Sequence, residues 1–243
     1  MTFRINFDGL LRSPSSWAKV NRELLKALIR RDDVDLAVQP RRGFNWERSF
    51  EIDDVLTERP RSHDRPDATL TFSFPPLLDR DAPEEGRHLL LSLYEATRLP
   101  PDWAEPLRSF EGTLLVPSRH VARIYENEGV DPDRLQTIPY GYNPDLYHPS
   151  DGEDSSETIT IVSIGTPHYR KGFDYLLGVG DLARSRRINW RVHSTYRPEA
   201  TGDFWEDNRI LRRLERRGFN VTVKSLSEEQ IASLYREADL VVQ

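Results

Sequence analysis

Hydrophobic and polar positions along the chain fall into one recurring rhythm: a short apolar run, a turn or loop, then an amphipathic stretch. Phe3-Arg4-Ile5-Asn6-Phe7 alternates with the period of a strand and ends at Asp8-Gly9. A Ser/Pro loop follows, in which Ser15 or Ser16 can cap a helix. Trp17, Val20, Leu24 and Leu28, with Leu25 and Ile29 beside them, recur at helical spacing. Val34 to Val38 predicts the next strand. Residues 40–66 are rich in Arg, Asp and Pro and show no clear period. Further strands are predicted at Ala68 to Ser73, Arg87 to Leu93, Gly112 to Val116 and Leu135 to Ile138. Ser118 caps a helix that runs to Glu128 and is ended by Gly129.

The stretch 151–157 reads Asp-Gly-Glu-Asp-Ser-Ser-Glu, with no apolar residue, and marks a linker. Beyond it the rhythm restarts. Thr158 to Ile164 is apolar at most positions, as a buried parallel strand is, and Gly165 ends it. A helix opens near Gly172. Trp190 to His193 and Phe219 to Val223 predict strands, with a helix from Phe204 to Arg217 between them. Ser227 caps a helix whose first turn holds Glu228 and Glu229, favourable against its dipole. Asp239 to Val242 opens one more strand, expected to leave apolar surface exposed at Leu240 to Val242. Repeated βα units on both sides of a linker predict two doubly wound α/β domains: 1–150, a linker at 151–157, and 158–243. The second has fewer βα units than a complete domain of this kind, so the expectation is a chain that ends inside it.

Composition narrows the classes. The 243 residues hold 34 basic and 40 acidic side chains and no cysteine, which excludes a disulfide framework, thiolate metal sites and thiol nucleophiles. A net charge of −6 argues against general nucleic-acid binding. No apolar run approaches the length of a membrane span, and the N-terminus is not a secretory signal, so a cytoplasmic protein is expected. Only four basic residues are Lys: Lys19, Lys26, Lys171 and Lys224. No Walker A loop, Gly-x-Gly-x-x-Gly or Gly-x-Ser-x-Gly is present, and no two His are spaced for zinc on a helix.

In open α/β sheets, ligands bind at the carboxyl ends of strands, so the loops after strands are where chemistry is sought. Gly165-Thr166-Pro-His-Tyr-Arg170-Lys171-Gly172 places two cations where a helix opens, suited to a diphosphate, with Gly165 allowing close approach. The same cations also fit a solvated loop. Leu93-Tyr94-Glu95-Ala-Thr97-Arg98 runs from a buried strand into Glu95 and Arg98, suited to hydrogen bonding a polyhydroxylated acceptor or to holding a loop by an ion pair. Ser118 and Gly141 lie in two further loops, where a helix cap and a turn are the plainer roles. Arg209, Arg212, Arg213, Arg216 and Arg217 make one helix strongly basic, which fits a solvated face or contact with anionic lipid.

Taken in order, these pieces resemble the retaining glycosyltransferases of family 4 (group 1), which have the two-Rossmann GT-B fold. The resemblance is carried by YEATRLPPDW and LLVPSRHVARIYENEGVDPDRLQTIPYGYNPDLYHP between Tyr94 and Pro149, by IVSIGTPHYRKGFDYLL, and by SLSEEQIASLYREADLVVQ at the end. It implies transfer of a sugar from a nucleotide-diphosphate sugar to an acceptor hydroxyl with retention, without a metal or other cofactor. The acceptor would be a glycan, a lipid-linked or another hydroxyl compound. Peripheral contact with the inner face of a membrane is the further partner expectation.

By the same resemblance the donor lies in a cleft, mainly against the second domain. Lys171 matches the Lys that binds the donor diphosphate and stabilises the leaving phosphate. The partner Arg of the family is replaced by Thr166, and Arg170 takes its role from the next turn. Gly9 matches a loop that closes on the donor phosphates, Ser118 and Gly141 match cleft-lining segments, and Glu95 stands in the stretch where many members carry a His. The family's acidic-x7-acidic segment lies beyond Gln243. The alternative expectation is a non-catalytic remnant acting as a glycan- or protein-binding module.

Overall fold

The computed structural model describes residues 2–13, 15–40, 52–73, 85–150, 157–165, 171–180, 188–194, 204–224 and 226–242. The chain divides into two compact units, Met1–Gly141 and Tyr142–Gln243. The acidic stretch 151–157 lies outside the described residues except for Glu157.

In the first unit, six strands form one parallel sheet: β1 Phe3–Gly9, β2 Val34–Pro40, β3 Ala68–Phe72, β4 Arg87–Leu91, β5 Thr113–Val116 and β6 Leu135–Thr137. Their spatial order is β2-β1-β3-β4-β5-β6. Helix α1, Ser16–Ile29, begins where the Ser15 hydroxyl accepts from the Ala18 N–H. Helices α2 Asp54–Thr57 and α3 Pro101–Ser109 occupy stretches to which hydrophobic periodicity assigns no helix. In α2 only Leu56 is buried, and in α3 only Ala104 and Leu107, too few to show a stripe. Helix α4, Arg119–Asn127, completes the unit.

Side chains on successive strand positions leave opposite faces, and both faces of this sheet are covered. Phe7, Leu36, Val38, Leu70, Phe72 and Leu91 pack with Leu25 of α1 and Leu56 of α2. On the other face Leu90, Leu114 and Val116 pack with Leu107 of α3 and with Val121, Ile124 and Tyr125 of α4. Leu90 and Leu91 thus serve different cores from adjacent positions. Because every pairing is parallel, the carboxyl ends of all six strands lie along one edge.

The second unit has a four-stranded parallel sheet among its described residues: β7 Ile159–Gly165, β8 Ile188–Ser194, β9 Asn220–Val223 and β10 Leu240–Val241, in the order β10-β7-β8-β9. Helix α5 is a single turn, Phe173–Leu176, continued by a 3-10 turn Leu177–Val179. Helix α6 spans Phe204–Arg216 and α7 spans Glu228–Arg236. Ile161, Trp190 and Val192 pack with Phe173, Leu176, Leu211, Leu214 and Phe219. Leu211 and Leu214 face that core, which leaves Arg209, Arg212, Arg213, Arg216 and Arg217 exposed. Helix α7 opens with a reciprocal cap: the Ser227 hydroxyl accepts from the Gln230 N–H, and the Gln230 side chain accepts from the Ser227 N–H. Leu240 and Val241 are 52% and 40% exposed, so β10 leaves apolar surface open, as its sequence predicts.

Candidate functional site: the carboxyl edges of two sheets

Where strand order reverses in a doubly wound sheet, the loops on either side turn to opposite faces and leave a crevice. In the first unit the reversal lies between β1 and β3, and Gly9 closes β1 there. In the second unit it lies between β7 and β10, and Gly165 closes β7. Two of the three glycines singled out in the sequence, Gly9 and Gly165, therefore stand at switch points.

They are glycines for different reasons. A Cβ on Gly9 would meet the Phe7 ring at 2.8 Å and the Phe72 Cβ at 2.9 Å, so packing excludes a larger residue. Among the described residues, a Cβ on Gly165 would meet only the Phe173 ring, at an ordinary 3.6 Å. Neither has positive φ. At Gly141 an added Cβ would meet nothing within 4 Å, and φ is not positive there either. Neither packing nor backbone conformation explains glycine at 141.

Lys171 is exposed and immediately precedes Gly172, whose φ of +69° is the left-handed conformation that glycine adopts without strain. Gly172 caps α5, but α5 has only four residues, so its dipole is small. Any anion at this end is held by the Lys171 charge more than by the helix. Thr166 and Arg170 lie outside the described residues.

In the first unit, Glu95 and Arg98 follow β4 and are exposed. Ser118 follows β5, and its oxygen accepts from the Val121 N–H at 3.2 Å, so it acts as the cap of α4. The parallel sheet brings Gly9, Glu95, Arg98, Ser118 and Gly141 to one edge.

That edge also holds hydroxyl groups that sequence reasoning overlooks. Ser92, buried directly after β4, shares a 2.8 Å hydrogen bond with the Tyr125 phenol, and burial pushes Tyr125 up to about 12. Burial likewise pushes Tyr140, after β6, up to about 12. Tyr94 packs against Trp103 with ring centroids 5.2 Å apart. The available signal is a small hydroxyl residue at the end of an apolar strand or directly after it, as at Ser73, Ser92 and Ser194, all buried.

Among the described residues, no three His, Asp or Glu side chains converge to hold a metal ion, and no helix is long and apolar enough to cross a membrane.

Two doubly wound α/β units in one chain, with a switch point in each, make up the GT-B fold. Solved structures of glycosyltransferases superimpose on it. HepE from Anabaena in complex with UDP and glucose matches with a TM-score of 0.66 at 12% identity, over 98% of this chain and 73% of that one. Sucrose-phosphate synthase from Thermosynechococcus elongatus matches with a TM-score of 0.63 at 12% identity, over 99% and 75%. The UDP-forming α,α-trehalose-phosphate synthase from Burkholderia xenovorans, in complex with glucose-6-phosphate, matches with a TM-score of 0.62 at 15% identity, over 97% and 78%. No family model matches the sequence, and no curated protein matches it.

Proposed function

We propose that this chain is a glycosyltransferase of the family 4 kind, which moves a sugar from a nucleotide-diphosphate sugar to an acceptor hydroxyl with retention. The observation that carries this reading is the placement of Gly165 at the switch point of the second unit, six residues before an exposed Lys171 in a chain nearly devoid of lysine. The structural likeness to glycosyltransferases, one of them in complex with UDP-glucose, supports it.

In this reading the second unit holds the donor. Lys171 neutralises the charge that grows on the diphosphate as the glycosidic bond breaks, an interaction stronger in the transition state than in the ground state. Arg170 adds a second charge, and Gly165 and Thr166 let the phosphates approach the backbone. The first unit holds a hydroxyl acceptor along the edge carrying Glu95, Arg98, Ser118 and Gly141, with Glu95 and Arg98 hydrogen-bonding it.

The test is calorimetric titration of the chain and of Lys171→Ala with UDP, GDP and their sugars. Diphosphate-dependent binding that Lys171→Ala abolishes is expected. Equal binding by both proteins removes Lys171 from the site. Retention is read from the product's anomeric configuration by NMR; an inverted product excludes it.

A further inference from the structure

Among the described residues, both ring nitrogens of His193 and the hydroxyl of Ser194 are buried without a hydrogen-bond partner, three such atoms at a single strand end. These residues close β8. His193 lies beside Ile164 of β7 and Thr222 of β9, and Ser194 lies beside Gly165 and Val223. The backbone there is satisfied, since the Lys224 N–H donates to the Ser194 carbonyl at 3.2 Å. Only the side chains are left over. Alternation sends them to opposite faces. Ser194 follows Trp190 and Val192 toward the core side and is fully buried. His193 shares the face of Arg191, whose guanidinium donates to Glu237 of α7 at 2.7 Å.

A buried polar group with no partner carries the full cost of its desolvation, so adjacent examples at a ligand-binding edge are better explained by a ligand than by packing. Burial, and then the charges of Arg191 and Lys224, hold the His193 imidazole below its ordinary pKa, against the opposing charge of Glu237. A neutral imidazole has one donor and one acceptor nitrogen. The acceptor is satisfied only by a group that brings a hydrogen. A hydroxyl does this, and a fully ionised phosphate does not. In dinucleotide-binding doubly wound folds an acidic residue about 20 residues beyond the phosphate loop hydrogen-bonds the ribose, and β8 is the next strand after β7 in this chain.

We propose that His193 and Ser194 hydrogen-bond the ribose hydroxyls of the nucleotide part of the donor. This rests on the donor reading of the second unit given above.

The experiment is calorimetry on the full 243-residue chain with UDP, GDP, ADP and CDP, then with the 2′-deoxy and 3′-deoxy forms of the tightest binder, and with inorganic pyrophosphate. His193→Ala, His193→Gln and Ser194→Ala are measured alongside, with circular dichroism to verify folding. The expected result for His193→Ala is a loss of about tenfold in nucleotide affinity, with pyrophosphate binding unchanged and a reduced preference for the ribo form. His193→Gln, which keeps a donor and an acceptor, recovers part of the loss. If His193→Ala does not fold, the ribo-against-deoxy preference of the wild type and of His193→Gln decides the question. Unchanged nucleotide affinity in the folded variants, or equal binding of ribo and deoxy forms by the wild type, overturns the ribose contact and leaves the donor reading standing. A wild-type chain that binds none of the four nucleotides overturns both.

Discussion

Tyr147 donates its phenolic hydrogen to Glu228 Oε2 at 2.6 Å and so ties the stretch after Gly141 to the first turn of α7. Two further contacts support the same attachment. Arg236, in the last turn of α7, donates to the Leu146 carbonyl at 2.9 Å, and the rings of Tyr147 and Tyr235 lie 6.2 Å apart. Burial, and then the bond to Glu228, raise the Tyr147 pKa.

Tyr147→Phe keeps the ring and removes the hydroxyl. The pair is partly solvated, so the expected loss is about 1 kcal/mol rather than the larger value of a buried charged bond. It is expected to be local. The Leu146 and Tyr147 N–H groups both donate to the Asn143 carbonyl, and their hydrogen exchange should quicken while β7 and β8 stay protected. Unchanged exchange at 146 and 147 would show that the phenol does not hold this segment.

The two switch-point glycines should respond differently to the same substitution. Gly9→Ala forces a methyl group against Phe7 and Phe72 and should cost about 1–3 kcal/mol. The denaturant midpoint would read this with no ligand present. Among the described residues Gly165→Ala meets only ordinary contact with Phe173, so its midpoint should stay at the wild-type value while nucleotide binding weakens. A matched drop in stability for both variants would contradict the packing difference.

Tyr125→Phe tests the buried bond to Ser92. At neutral pH it leaves the Ser92 hydroxyl without its partner and should cost about 1 kcal/mol. The pH dependence adds a second reading. The folded phenol sits at about 12 against an ordinary 10.0, so its contribution is complete below 10.0 and is lost as pH rises toward 12, where the unfolded chain ionises first. The wild type should therefore lose more thermal stability than Tyr125→Phe between pH 9 and pH 11.5. Parallel losses in the two proteins would remove Tyr125 as the source.

Arg134 is a structural arginine immediately before β6. Its guanidinium donates to the carbonyls of Leu107 at 3.1 Å and Arg108 at 2.9 Å, and to that of Phe110, gathering the end of α3. Arg134→Ala should cost about 2 kcal/mol, since it leaves these carbonyls to fewer donors. Arg134→Lys should recover little, because an ammonium cannot reach several carbonyls in the plane of one fork. Full stability of Arg134→Lys in a thermal melt would show that charge, not geometry, is what matters here.

Much of the architecture is visible in the residues themselves. Alternation marks β1, a mostly apolar run marks β7, and a glycine closes each where the chain leaves it, so both strands and their closing glycines, Gly9 and Gly165, are readable locally. The caps at Ser15, Ser118 and Ser227 are equally local, because each hydroxyl reaches an N–H within one turn. Strand order is not of this kind. Nothing near Gly165 states that β10 returns to the far side of β7, yet that return makes Gly165 a switch point. Ser92 and Tyr125 are 33 residues apart, and Arg134 meets Leu107 from 27 away. His193 reads locally as an ordinary half-buried strand residue. Its ring nitrogens lack partners because of which strands and helix surround it, and that depends on sheet register rather than on hydrophobic period. Local sequence specifies what a backbone segment can become. Long-range hydrogen bonds and the burial of polar atoms depend on which segments meet, and they decide which strand ends can hold a ligand.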